Sequence, residues 1–227
     1  MRKLPLWLLA VTVALNWLTM GISGAYAATM TATEHEGGIC SITIEGKIER
    51  GDAARFVKGM AAAKKTLTGC GRPALYLDSD GGDVDEALRL GRAIRANEML
   101  VSVPEQGRCY SSCVFLLAAG VNRVPWGKTG IHRPFFGNLE AGLSTQQIKT
   151  LRDSMNRAIL AYLQEMDVST ALLDAMLAVP PEDMRILGNK ELTSFRLIGS
   201  DPSWDEKRSG SVRLNSIFRK ISGHTAR

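Results

Sequence analysis

Gly107-Arg108-Cys109-Tyr110-Ser111-Ser112-Cys113-Val114-Phe115-Leu116-Leu117 joins a polar, turn-forming start to an unbroken apolar run. A β-rich segment from Met99 to Val103 precedes it, and the run itself predicts a short buried helix from Ser111 to Ala119. A serine at such a strand-to-helix turn is held on rigid structure. The backbone N–H of the next residue then faces the same point as its hydroxyl. This is the arrangement of a nucleophile elbow, although G-x-S-x-G itself is absent. The simpler reading is that Ser111 caps the helix, and on these mechanics alone the cap is preferred.

Working outward, β-rich runs alternate with amphipathic helices. Ile39–Ile44 reads as a strand and Asp52–Leu67 as a helix with Asp52 as N-cap. Pro73–Leu77 reads as a second strand that ends in the turn Asp78-Ser79-Asp80-Gly81-Gly82. A helix from about Asp83 to Asn97 places Val84, Ala87, Leu88, Gly91 and Ile94 on one face. Asp85, Glu86, Arg89 and Arg92 then face outward. Thr129–Arg133 reads as another strand. A longer helix starts at Ser144, whose pairing with Gln147 is a capping box, and its stripe runs Ile148, Leu151, Met155, Ile159, Tyr162, Met166. Val168–Leu177 is a further helix, stopped by Pro180-Pro181. Strands alternating with helices define an α/β layered fold.

The ends of the 227-residue chain differ from this body. Arg2 and Lys3, an apolar run from Leu4 to Leu15 and the small-residue ending Gly24-Ala25-Tyr26-Ala27 read as a signal peptide over residues 1–27, with cleavage after Ala27. The competing reading is an uncleaved anchor. Residues 28–202 form one α/β domain, and 203–227 a basic tail without apolar pattern. The formal net charge of +5 is carried by these ends, because residues 28–202 hold 20 basic against 21 acidic side chains. A nucleic-acid partner is therefore not expected. After cleavage no run approaches the ~20 residues that span a bilayer. The expected location is the periplasm or the secreted fraction, an oxidising space in which Cys40–Cys70 and Cys109–Cys113 are the favoured disulfides. A zinc site would need paired C-x-x-C spacings and nearby histidines, so no metal and no cofactor is expected.

Two further features bear on chemistry. Gly81-Gly82 lies between a strand and a helix, where glycine lets backbone N–H groups hold an anion or oxyanion, though most such pairs are only turns. No phosphate-loop sequence occurs. Of the three histidines, His35 follows the leader and His224 lies in the tail, so His132 is the imidazole of the folded body. Serine chemistry near neutral pH would draw on it.

Taken together, Gly107–Gly120, Ile131-His132-Arg133-Pro134, Leu75–Gly82 and Glu182-Asp183 with Leu197-Ile198 resemble four segments of the Clp protease proteolytic subunit. The resemblance spans about Ile39–Asp201 and implies a ClpP/crotonase-like layered fold of repeated strand-helix units. It implies Ser111 as nucleophile, His132 as general base, Asp183 as the acid that orients the imidazole, and Gly82 and Ser112 N–H as the oxyanion hole. An ungapped match puts the acid position on Met184, and Glu182, Asp174 and Asp201 are alternatives. The helix from Ser144 falls where the family's protruding handle lies, which implies a homo-oligomer.

Departures are evident. Arg133 stands where the family usually has Gln, Asp80 replaces Pro, Tyr110 is bulky, the segment from Ser111 to His132 is shorter, and Cys109 and Cys113 bracket the serine. An exported enzyme would act on peptides or unfolded protein without ATP and without an ATPase partner. The competing readings are an inactive Clp-like scaffold or binding protein, a Ser–Lys peptidase using Lys128, and, last, a crotonase-type acyl-CoA enzyme.

Overall fold

The computed structural model describes residues 27–35, 39–66, 74–136 and 142–206. Residues 1–26 of the expected leader, most of the basic tail and Cys70 lie outside the described residues. Along the chain come β1 (Thr29–His35), β2 (Ile39–Ile48), α1 (Asp52–Thr66), β3 (Ala74–Gly82), α2 (Val84–Ala96), β4 (Leu100–Val103), β5 (Arg108–Tyr110) and α3 (Cys113–Ala118). They are followed by β6 (Asn122–Pro125), β7 (Lys128–Ile131), α4 (Thr145–Glu165), α5 (Ala171–Leu177), β8 (Arg185–Ile186), α6 (Asn189–Ser194) and β9 (Gly199–Ser200).

β3 organises the sheet. One side pairs in parallel with β2 along its length, which extends the strand through the polar Asp78–Gly82 segment that reads locally as a turn. The other side splits. Its first half pairs with β4, then β6 and antiparallel β9, while Ser79 pairs with Cys109 of β5, leading to β7 and antiparallel β8. α3 packs against strands of both branches, and its six residues have no exposed surface. A helix apolar on every side is stable only in such a place.

The caps differ in part from the sequence reading. Ser144 and Gln147 form the expected capping box on α4. Asp52 does not cap α1: its buried carboxylate accepts from Glu49 N–H and pairs with Arg55. Glu86, expected on the outer face of α2, is instead 3% exposed and accepts the Ala53 N–H at 2.8 Å while pairing with Arg89. Burial raises its pKa, but the Ala53 N–H and Arg89 more than offset this and hold it below the usual carboxylate value.

The stripe of α4 turns inward at Met155, Ile159 and Tyr162 and leaves Leu151 exposed. The Tyr162 hydroxyl donates to the Phe115 carbonyl at 2.6 Å, tying α4 to α3. It fits because α2 has glycine at 91, where any Cβ would collide with that hydroxyl. Among the described residues no helix is long and apolar enough to cross a membrane.

A buried ionic knot closes the β6–β9 end. The Arg123 guanidinium, 1% exposed, donates to the carbonyls of Ala118, Met166 and Arg196, and Asp201 pairs with Arg95 and Arg123. Burial and neighbouring Arg95 lower the Arg123 pKa to about 10, so it stays charged at neutral pH. Burial raises the Asp201 pKa, but the Ser203 hydroxyl, Arg95 and the Trp204 N–H outweigh it and hold the group below 3.8. A carboxylate depressed on folding stabilises above its unfolded pKa and loses that contribution as pH falls through the folded value. Asp201→Asn should therefore cost about 3 kcal/mol at neutral pH. In urea titrations the gap to wild type should narrow below 3.8.

Candidate active site

The site lies at the C-terminal ends of parallel strands, where α/β sheets gather their chemistry. β5 ends at Tyr110, Ser111 turns the chain and α3 begins two residues later. Ser111 has φ +55°, a left-handed conformation that costs a non-glycine residue about 1–2 kcal/mol. This overturns both the continuous helix from Ser111 and its role as cap. The N-cap position belongs to Ser112, which makes no capping bond with its side chain. The turn is held by Ser111 N–H on the Gly130 carbonyl at 2.9 Å and by Val114 N–H on the Ser111 carbonyl at 3.1 Å.

The first of these bonds sets β7 beside the elbow. β5 and β7 run parallel with Tyr110 opposite Gly130, so His132 leaves β7 just past the level of Ser111. His132 is 6% exposed; its Nδ1 lies 2.9 Å from the Arg133 carbonyl and its ring contacts Phe135. A carbonyl only accepts, so this contact places a proton on Nδ1, and in the neutral ring Nε2 is then the accepting nitrogen. Lys128 pairs with Arg108 at the start of the same strands, three residues before the level of Ser111 and about 10 Å away along them.

The acid position is different. β8 runs antiparallel to β7 with Ile131 opposite Arg185, and one further step brings Met184, not Asp183, opposite His132. The Met184 side chain lies over Gly130, on the face of β7 that alternation shares with His132. Asp183 is exposed and precedes β8; among the described residues no hydrogen bond joins its carboxylate to His132. Glu182 and Asp174 are not buried against the imidazole either, and Asp201 is committed to the arginine knot. The partner that orients His132 here is a backbone carbonyl, which no side-chain motif announces.

The expected oxyanion donors are also divided. The Gly82 N–H donates to Ser112 Oγ at 2.7 Å, so it is occupied, while the Ser112 N–H has no acceptor among the described residues. Gly81, at φ +88°, presses on the elbow: a Cβ there would lie 2.6 Å from the Tyr110 carbonyl and 2.9 Å from the Ser112 nitrogen. The Gly81 N–H donates to Ser79 Oγ at 3.1 Å. Cys109 and Cys113 are joined by a disulfide, and Cys40 is also disulfide-bonded. Among the described residues no group of three His, Cys, Asp or Glu side chains could hold a metal ion.

A split, mostly parallel sheet with a buried helix behind a strained serine turn is an α/β layered fold of the ClpP-like kind. Among solved structures the chain is similar to a mutant form of 1510-N, a membrane-bound stomatin-specific protease, with TM-score 0.51, 15% identity and coverage of 69% of this chain and 75% of that one. No family model matches the chain. No curated protein matches it either. The structural likeness is one of fold.

Proposed function

We propose that the chain is an exported Clp-like serine peptidase that hydrolyses peptide bonds without ATP. The observation that carries this reading is Ser111 at φ +55° between β5 and α3, with the buried His132 just past the same level of the neighbouring β7 and held through Nδ1 by a main-chain carbonyl. Strain at a serine elbow is common where the hydroxyl is presented for attack. Ser111 Oγ attacks the substrate carbonyl as His132 Nε2 takes its proton. The imidazolium then returns that proton to the leaving amine, and water releases the acyl group by the same route. The Arg133 carbonyl fixes the tautomer, and the Ser112 N–H donates to the oxyanion. The Gly82 N–H would join it only after Ser112 Oγ turns away.

A Clp-like binding scaffold is the second reading, favoured by the absence of a carboxylate against His132 among the described residues. Labelling of the oxidised chain with a fluorophosphonate separates the two. Wild type should label and Ser111→Ala should not. Labelling that survives Ser111→Ala removes this nucleophile, and an unlabelled wild type favours the scaffold.

A further inference from the structure

In G-x-S-x-G elbows, glycines two residues before and after the serine let the strand and helix flanks close on each other. Here those two positions are Cys109 and Cys113, whose Cα atoms are 5.1 Å apart and whose sulfurs are bonded. The close approach that glycine permits is made covalent. The other ties on the turn are few: the Ser111 N–H to the Gly130 carbonyl, the Val114 N–H to the Ser111 carbonyl, the Gly82 N–H to Ser112 Oγ, and three register pairs from β5 to β7. β5 is three residues long and meets β3 at one register pair, Ser79 with Cys109. α3 has no side-chain cap. Both cysteines are fully buried, so thiol exchange requires the elbow to open.

We propose that the Cys109–Cys113 disulfide is the positioning element of the nucleophile: only the oxidised chain holds Ser111 in its reactive left-handed turn. This rests on the serine-peptidase reading above. Formation removes two electrons and two protons from the two thiols and passes them to a small-molecule disulfide, which leaves as two thiols. Until that exchange occurs the serine reacts slowly, so full activity develops only where such an oxidant is present.

The test is the fluorophosphonate labelling rate of the full chain as oxidised protein, after reduction with a phosphine, and after reoxidation with oxidised glutathione. Cys109→Ala/Cys113→Ala and Cys109→Gly/Cys113→Gly are measured beside it. Displacement of a nucleophile by an ångström costs one to two orders of magnitude, so the reduced and Ala-pair forms should label about tenfold or more slowly. Their far-UV circular dichroism should be unchanged. With a peptide substrate, kcat should fall and KM stay. Reoxidation should restore wild type alone, and the Gly pair, which recreates G-x-S-x-G, should outpace the Ala pair. Ser111-dependent labelling at the wild-type rate without the bond overturns the clamp and leaves the nucleophile standing. An oxidised wild type that never labels overturns both. Loss of labelling together with loss of fold in every unlinked form also overturns it, because the bond is then a requirement of folding.

Discussion

His132→Gln should slow fluorophosphonate labelling and peptide hydrolysis by about three to four orders of magnitude while leaving the fold intact. The size follows from the role: without a base, the serine hydroxyl must lose its proton to water during attack. Glutamine keeps a polar, similarly sized side chain near the Arg133 carbonyl, so the buried site remains filled. Asp183→Asn supplies the contrast. Its carboxylate is exposed and no hydrogen bond joins it to His132 among the described residues, so the rate should stay within about threefold of wild type. A loss of several hundredfold in Asp183→Asn would show that this carboxylate reaches the imidazole during turnover and would reinstate the three-side-chain triad.

Gly82→Ala should be the most damaging small substitution in the core of the sheet, costing about 4 kcal/mol or more. A Cβ at 82 would run into the Ile48 carbonyl, which is already committed to the Asp83 N–H at 2.9 Å. Backbone cannot swing aside as a flexible side chain can. β2 and β3 are paired at this point, so displacing Ile48 unzips the end of the sheet that feeds α2 and the Ser112 contact. Chemical denaturation should read the loss directly, and failure to recover soluble protein is the same result in stronger form. Wild-type stability in the Gly82→Ala chain would mean that β2 and β3 separate here at little cost.

Much of this was legible in local pattern. The apolar faces of α2 and α4, the Ser144 cap and the buried apolar helix that follows Ser111 come from periodicity and capping chemistry, which act over a few residues; β5, which leads into Ser111, does not. Other features depend on partners far along the chain. Asp78–Gly82 is polar and glycine-rich, yet it is strand because β2 lies beside it. Glu86 reads as an outward charge on α2, yet it is buried because α1 brings the Ala53 N–H to it. β6, β8 and β9 are too short to show alternation and exist as pairings. At the candidate site, Ser111 and His132 stand out in the sequence as residue types. The orienting group does not, because a main-chain carbonyl belongs to every residue and marks none.

The contact between Tyr162 and Phe115 orders how this molecule can change over generations. The space at Gly91 is filled by the Tyr162 hydroxyl, so a Gly91→Ala change is blocked while the tyrosine remains. A Tyr162→Phe change gives up one hydrogen bond, but the Phe115 carbonyl still accepts from the Ala119 N–H at 3.2 Å. The route to a different helix contact behind the serine therefore begins on α4 and reaches α2 only afterwards. Two positions 71 residues apart are bound to a shared history by one oxygen atom.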